Sequence, residues 1–147
     1  MNEITNNILF EQIKNLIEQT KNNVAVAVNS SLTMMYWEIG NRINQNILKN
    51  QRAEYGKEIV VTLSRQLQDN FGKGFDEKNL RRMMQFANAI EKQKVVTLSR
   101  QLSWSHFLAL LPLQESLKIE FYAQMSIVQN WGVRTLRERI DSMLYER

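Results

Sequence analysis

Between Leu9 and Ile47, apolar or neutral side chains fall at positions 9, 13, 16, 20, 24, 28, 32, 35, 39, 43 and 47, always three or four residues apart. Steps of that size trace one stripe along an α-helix, because 3.6 residues make a turn. Gly40 is the one glycine between Ile4 and Leu48, and no proline interrupts them. A single helix of that length is uncommon. Asn29-Ser30-Ser31 offers three side chains able to cap a fresh N-terminus, so the pattern predicts two near-continuous helices, 4–28 and 31–48.

Beyond the polar run KNQRAEYG, a helix over Ala53–Asp69 would place Tyr55, Ile59, Val60, Leu63 and Leu67 on one side. Asn70-Phe71-Gly72-Lys73-Gly74 closes it, since glycine takes the left-handed backbone that ends helices. Asp76 then suits an N-cap, Glu77 suits the positive end of the helix dipole, and Phe75 is placed to staple against Leu80. That helix is predicted to reach about Glu91. Shorter helices follow at Val96–Leu102 and, capped by Ser103, at Trp104–Leu111, before Pro112-Leu113. Gln114–Gln129 and Val133–Glu146, parted by Asn130-Trp131-Gly132, complete an all-α chain: a long N-terminal helical segment (1–50) and a helix-turn-helix-like remainder of the same domain (51–147).

The octapeptide VVTLSRQL occurs twice, at Val60–Leu67 and Val95–Leu102. A solenoid would show similarity across the whole period and at least three copies, whereas here the match stops at the octapeptide. Each copy therefore reads as one short amphipathic helix used twice. Val60, Leu63 and Leu67, or Val95, Leu98 and Leu102, face inward; Ser, Arg and Gln face outward.

Composition changes this picture little. One domain is ample for 147 residues, and the 44% hydrophobic and 23% charged fractions are ordinary for a globular chain. The chain has no cysteine, which excludes a disulfide framework and a thiolate zinc site and suits a cytoplasmic setting. The start MNEITNNILFEQ lacks the basic and apolar regions of a signal peptide. Its apolar runs are far shorter than a membrane span. Charge is more informative. The net +4 sits entirely in residues 51–100, with ten basic and six acidic side chains, while both flanking segments balance. An excess placed so locally suits a polyanion-facing surface or, more plainly, a solvated face.

The segment DEKNLRRMMQFANAIEK sorts by face. Leu80, Met83, Met84, Ala87 and Ile90 are apolar; Lys78, Arg81, Arg82, Gln85, Asn88 and Lys92 lie opposite. Arg and Gln read base edges bidentately, and Lys and Arg hold phosphates. A capped helix after a glycine turn is how helix-turn-helix proteins present a reading helix. The candidate DNA-binding residues are Lys73, Lys78, Arg81, Arg82, Gln85 and Asn88, and the competing view is an ordinary polar helix face. His106, the only histidine, has no second histidine or cysteine to make a metal site and is expected to hydrogen-bond locally. Trp37, Trp104, Trp131, Tyr36, Phe107, Phe121 and Tyr122 fall at helical spacing and are expected to anchor the core. GKG at 72–74 is too short for a phosphate-cradling loop.

Five blocks, MMYWEIGNRI (34–43), AEYGKEIVVTLSRQL (53–67), FGKGFDEKNLRRMMQF (71–86), LSWSHFLALL (102–111) and WGVRTLRERIDSMLYER (131–147), resemble the N-terminal domain of the YhcG-like family. The resemblance implies a helical, DNA-binding, helix-turn-helix-like region that precedes a PD-(D/E)XK nuclease domain. The sequence stops at Arg147, where that nuclease domain would begin. No lysine here follows a glutamate two residues earlier, and the one acid-x-Lys, Asp76-Glu77-Lys78, is better explained by the cap. The expectation is a DNA-targeting domain without catalysis, cofactor or metal of its own, bound to double-stranded DNA and forming homo-oligomers through its N-terminal helices. The alternative is a protein-interaction or oligomerisation module that never touches DNA.

Overall fold

One helix, α1, runs unbroken from Glu3 to Asn50. The computed structural model describes residues 3–50 and 53–147; residues 51 and 52 of the polar connection lie outside them. The predicted break at Asn29–Ser31 is absent, and the reason lies seventy residues away. Asn29 Nδ2 donates to the carbonyls of Ser99 (2.7 Å) and Leu102 (3.0 Å), and Ser30 Oγ donates to Ser99 at 3.1 Å. These side chains cap the end of another helix instead of opening a new one in α1.

The other helices are α2 (Ala53–Phe71), α3 (Glu77–Ala89), α4 (Lys92–Leu98), α5 (Trp104–Leu110), α6 (Ser116–Val128) and α7 (Val133–Asp141), with 3-10 turns at Lys73–Phe75 and Leu111–Leu113. Among the described residues there is no strand. Asp76 caps α3 by accepting from Asn79 N at 2.8 Å. Ser103 caps α5, with His106 completing a reciprocal capping box. Gly72, at φ +98°, makes the turn after α2 that only glycine takes without strain. Three of the boundaries that differ from the sequence pattern have a visible cause. α3 ends at Ala89 because Ile90 turns extended and its carbonyl accepts the buried Trp37 Nε1–H at 2.8 Å. α4 covers Lys92–Leu98 rather than Val96–Leu102, since Ser99–Gln101 form the turn that α1 caps. α7 stops at Asp141 because Met143 takes a positive φ of 58° and Tyr145 N then donates to Tyr122 OH at 3.0 Å.

The two octapeptides therefore differ in conformation: the first is helical throughout, the second ends its helix at the fourth residue. Both bury their valine as expected, but both also bury the serine assigned to the outside. Ser64 Oγ accepts from Gln68 at 2.8 Å, and Ser99 Oγ meets Ser30 Oγ at 3.2 Å. A small hydroxyl with a partner is the side chain such close packing admits.

Two apolar clusters hold the fold. Ile43, Val60, Leu80 and Met83 join α1, α2 and α3. Trp37, Phe86, Phe107, Tyr122 and Leu136 join α1, α3, α5, α6 and α7, with Trp104 packed against both clusters. Phe86 stacks at 5.0 Å from Trp104 and 4.9 Å from Phe107, so the aromatics act as core anchors. On the inner face of α1, the fully buried Thr33 hydroxyl has no hydrogen-bond partner among the described residues. Thr33→Val is expected to raise stability by about 1 kcal/mol in urea unfolding, because valine keeps the shape without the unpaired oxygen.

At the C-terminal end, Lys118 Nζ lies 2.8 Å from Glu146 Oε1. That hydrogen bond raises Lys118 above its ordinary 10.5 and holds the Glu146 carboxyl below its ordinary 4.5. Because the folded carboxyl is the stronger acid, the stabilisation is present above 4.5 and fades as pH falls through the lowered Glu146 value. Because folded Lys118 holds its proton more tightly, the same bridge is complete below 10.5 and fades above it. Glu146→Gln is expected to remove this bridge's share of the acid sensitivity, read as a smaller shift in unfolding midpoint between neutral and acidic pH.

Candidate nucleic-acid interface

α3 is held rigidly against α1. At Gly40 the two backbones approach so closely that a Cβ would collide with the Met83 carbonyl and lie 2.8 Å from Met84 N. One turn on, Asn44 Nδ2 donates to Met84 O at 2.9 Å. Leu80, Met83 and Phe86 point inward and are essentially fully buried. The opposite face is set by subtraction. Lys78, Arg81, Arg82, Gln85 and Asn88 fall within an arc of about 120° on the helix.

Within that arc the side chains are not equivalent. Lys78, Arg81, Gln85 and Asn88 are exposed and Arg82 is half-buried; Lys73 stands exposed on the 3-10 turn before the cap. Among the described residues, none of Lys73, Lys78, Arg81 and Arg82 pairs with an acid. Unpaired cations on one helix face, next to the positive N-terminal end of that helix, favour phosphate. Gln85 Nε2 donates to Leu111 O at a long 3.3 Å, so its amide is partly engaged with the second 3-10 turn. Asn88 borders an open groove of about 560 Å³ between α3, α4 and α6, lined also by Glu91, Lys94 and Glu120. Two carboxylates there make that end of α3 the less cationic one.

Lys92 is not on this face. α3 has ended before it, and its ammonium lies 2.7 Å from Glu38 and 6.0 Å from the Trp37 ring centroid. His106 is fully committed to structure: Nδ1 meets Ser103 Oγ at 2.8 Å and Nε2 meets Trp131 O at 2.9 Å. Among the described residues no cluster of three His, Asp or Glu side chains comes together to hold a metal. No helix among them is long and apolar enough to cross a membrane. A second cationic helix, α7, carries exposed Arg134, Arg137 and Arg139, which charge balance in the C-terminal third hid from a count by segment. Arg134 already shares Glu138 at 3.6 Å, and Arg139 lies over the Trp131 ring at 5.7 Å.

Residues 12–147 match the family described as the DUF1016 N-terminal domain. The chain belongs to that family. A curated relative, "Putative nuclease YhcG" of Escherichia coli (strain K12), is 25% identical over 170 aligned positions. The match takes in 95% of this chain but 45% of the relative, so the chain spans less than half of the relative's length. No solved structure gives a significant match. The family resemblance read from the five sequence blocks thus agrees with the comparison across nearly the whole chain.

Proposed function

We propose that this DUF1016 N-terminal domain binds double-stranded DNA through α3 and does no bond-breaking itself, positioning a nuclease domain of the kind named in its relative. One observation carries this proposal. Lys78, Arg81 and Arg82 share one open arc of a capped, rigidly held helix without an acidic partner among the described residues. Lys73 extends the cationic surface to the preceding turn. Lys73, Lys78 and Arg81 would hold phosphates, while Arg82 and Gln85 would reach base edges. Asn88, beside the groove with Glu91 and Glu120, would mark the edge of the contact.

The test is a titration of the protein with duplex DNA at several salt concentrations. Binding that falls steeply with salt, by roughly 0.9 logarithmic units per phosphate neutralised, is the expected result. Absence of binding at low salt would overturn it. The exposed apolar length of α1 favours the second reading, a protein-interaction module, and that reading would then stand alone.

A further inference from the structure

From residue 7 to residue 25, α1 is not buried by any other element among the described residues. Every residue from 7 to 25 is exposed, and Leu9, Phe10, Ile13, Leu16, Ile17, Val24 and Val28 are each 49–64% exposed along one side. An isolated helix of this length, with few alanines, is marginal in water. A contiguous apolar stripe of this size marks an interaction surface. What would cover it is written in the order of its charges. Glu11, Lys14, Glu18 and Lys21 alternate in sign along one flank of the stripe, and among the described residues none is in an ion pair. The other flank carries amides: Gln12, Asn15, Gln19 and Asn22.

We infer that residues 7–25 pair antiparallel with the same segment of a second copy, about a two-fold axis beside Leu16. Reversing the helix about that point sets Glu11 against the partner's Lys21 and Lys14 against the partner's Glu18. The same operation brings Leu9 to within one residue of the partner's Val24 and Ile13 to within one residue of the partner's Thr20, and Leu16 packs near its own copy. Charge and apolar pattern are thus self-complementary about one centre. A parallel pair would instead lay the charged flank of each helix along the amide flank of the other, leaving the alternation unused. At roughly half exposure, the six of these side chains from Leu9 to Val24 on each copy present on the order of 1,000 Å² together, the size at which specific interfaces begin. An antiparallel pair also places the two folded bodies at opposite ends, where they do not collide.

Sedimentation equilibrium at tens of micromolar should find a dimer, and Leu16→Glu should give a monomer with unchanged thermal unfolding of the core, because Leu16 lies outside it. Lys14→Glu should weaken the dimer by roughly fivefold and Lys14→Glu with Glu18→Lys should restore it. The chain has no cysteine, so oxidative cross-linking reads the direction. Leu16→Cys should cross-link to itself. Leu9→Cys should not, its copies being about 20 Å apart in this register, but it should cross-link when mixed with Val24→Cys. A monomer at these concentrations overturns the pairing, and self-cross-linking of Leu9→Cys overturns its antiparallel direction.

Discussion

Replacing Gly40 with alanine is expected to destabilise the domain by about 3 kcal/mol, the upper range for overpacking a tight contact. The sign is the informative part. Gly40 lies inside α1, and alanine in a helix interior is normally better than glycine by about 1 kcal/mol. Local preference and tertiary packing therefore predict opposite results. The obstacle is backbone: the added carbon would overlap the Met83 carbonyl and sit 2.8 Å from Met84 N. No rotamer change relieves that overlap, so α3 must move away from α1. The Asn44–Met84 hydrogen bond and the buried Trp37–Ile90 bond flank the same crossing and would be stretched with it. Unfolding followed by circular dichroism in urea checks this, and a Gly40→Ala chain as stable as its parent would show that the two helices do not meet there. Because α3 carries the proposed DNA face, any folded fraction should also bind less well than Lys78→Ala alone.

Gly40 also illustrates what the sequence makes legible. Caps and stops are local, so Asp76, Ser103, Gly72 and Pro112 announced the ends of α2, α3 and α5 to within two residues. The helical period was equally plain, and with it the inward faces of α2 and α3. Features that depend on distant partners were hidden. Asn29 and Ser30 look like helix openers until Ser99 and Leu102 supply the carbonyls they bond. The repeated octapeptide gave no hint that one copy would turn halfway, since the cause is α1 and lies outside it. Lys92 fits the polar arc of a longer α3, but the buried Trp37 draws the Ile90 carbonyl out of the helix, and Lys92 pairs with Glu38 instead. Likewise the apolar stripe of α1 suggests a partner copy, but it does not tell where burial by the chain's own helices begins; from residue 7 to 25 none of the described residues covers it. Periodicity tells which face is apolar, not what meets it.

On the cationic face, simultaneous replacement of Lys78, Arg81, Arg82 and Gln85 by alanine is expected to abolish duplex binding at moderate salt, with single variants apportioning the loss. Lys78→Ala and Arg81→Ala should weaken all sequences alike and each flatten the salt slope by about one unit, as phosphate contacts do. Arg82→Ala should cost about 1–3 kcal/mol of affinity and relax sequence preference, because a guanidinium on a base edge is worth that much discrimination. Arg82 is half-buried and so better fixed than its neighbours, which lowers the ordering cost of a specific contact. Gln85 is the discriminating position. Its 3.3 Å bond to Leu111 O is long, and if DNA draws the amide away, Gln85→Ala should change specificity without changing stability. Met83, 1% exposed on the inner face, supplies the control. Met83→Ala should lower stability by about 2–5 kcal/mol and reduce affinity only in proportion to the unfolded fraction. Unchanged affinity of the fourfold variant at low salt would remove α3 as the reader and leave the exposed arginines of α7 as the remaining cationic helix face to test.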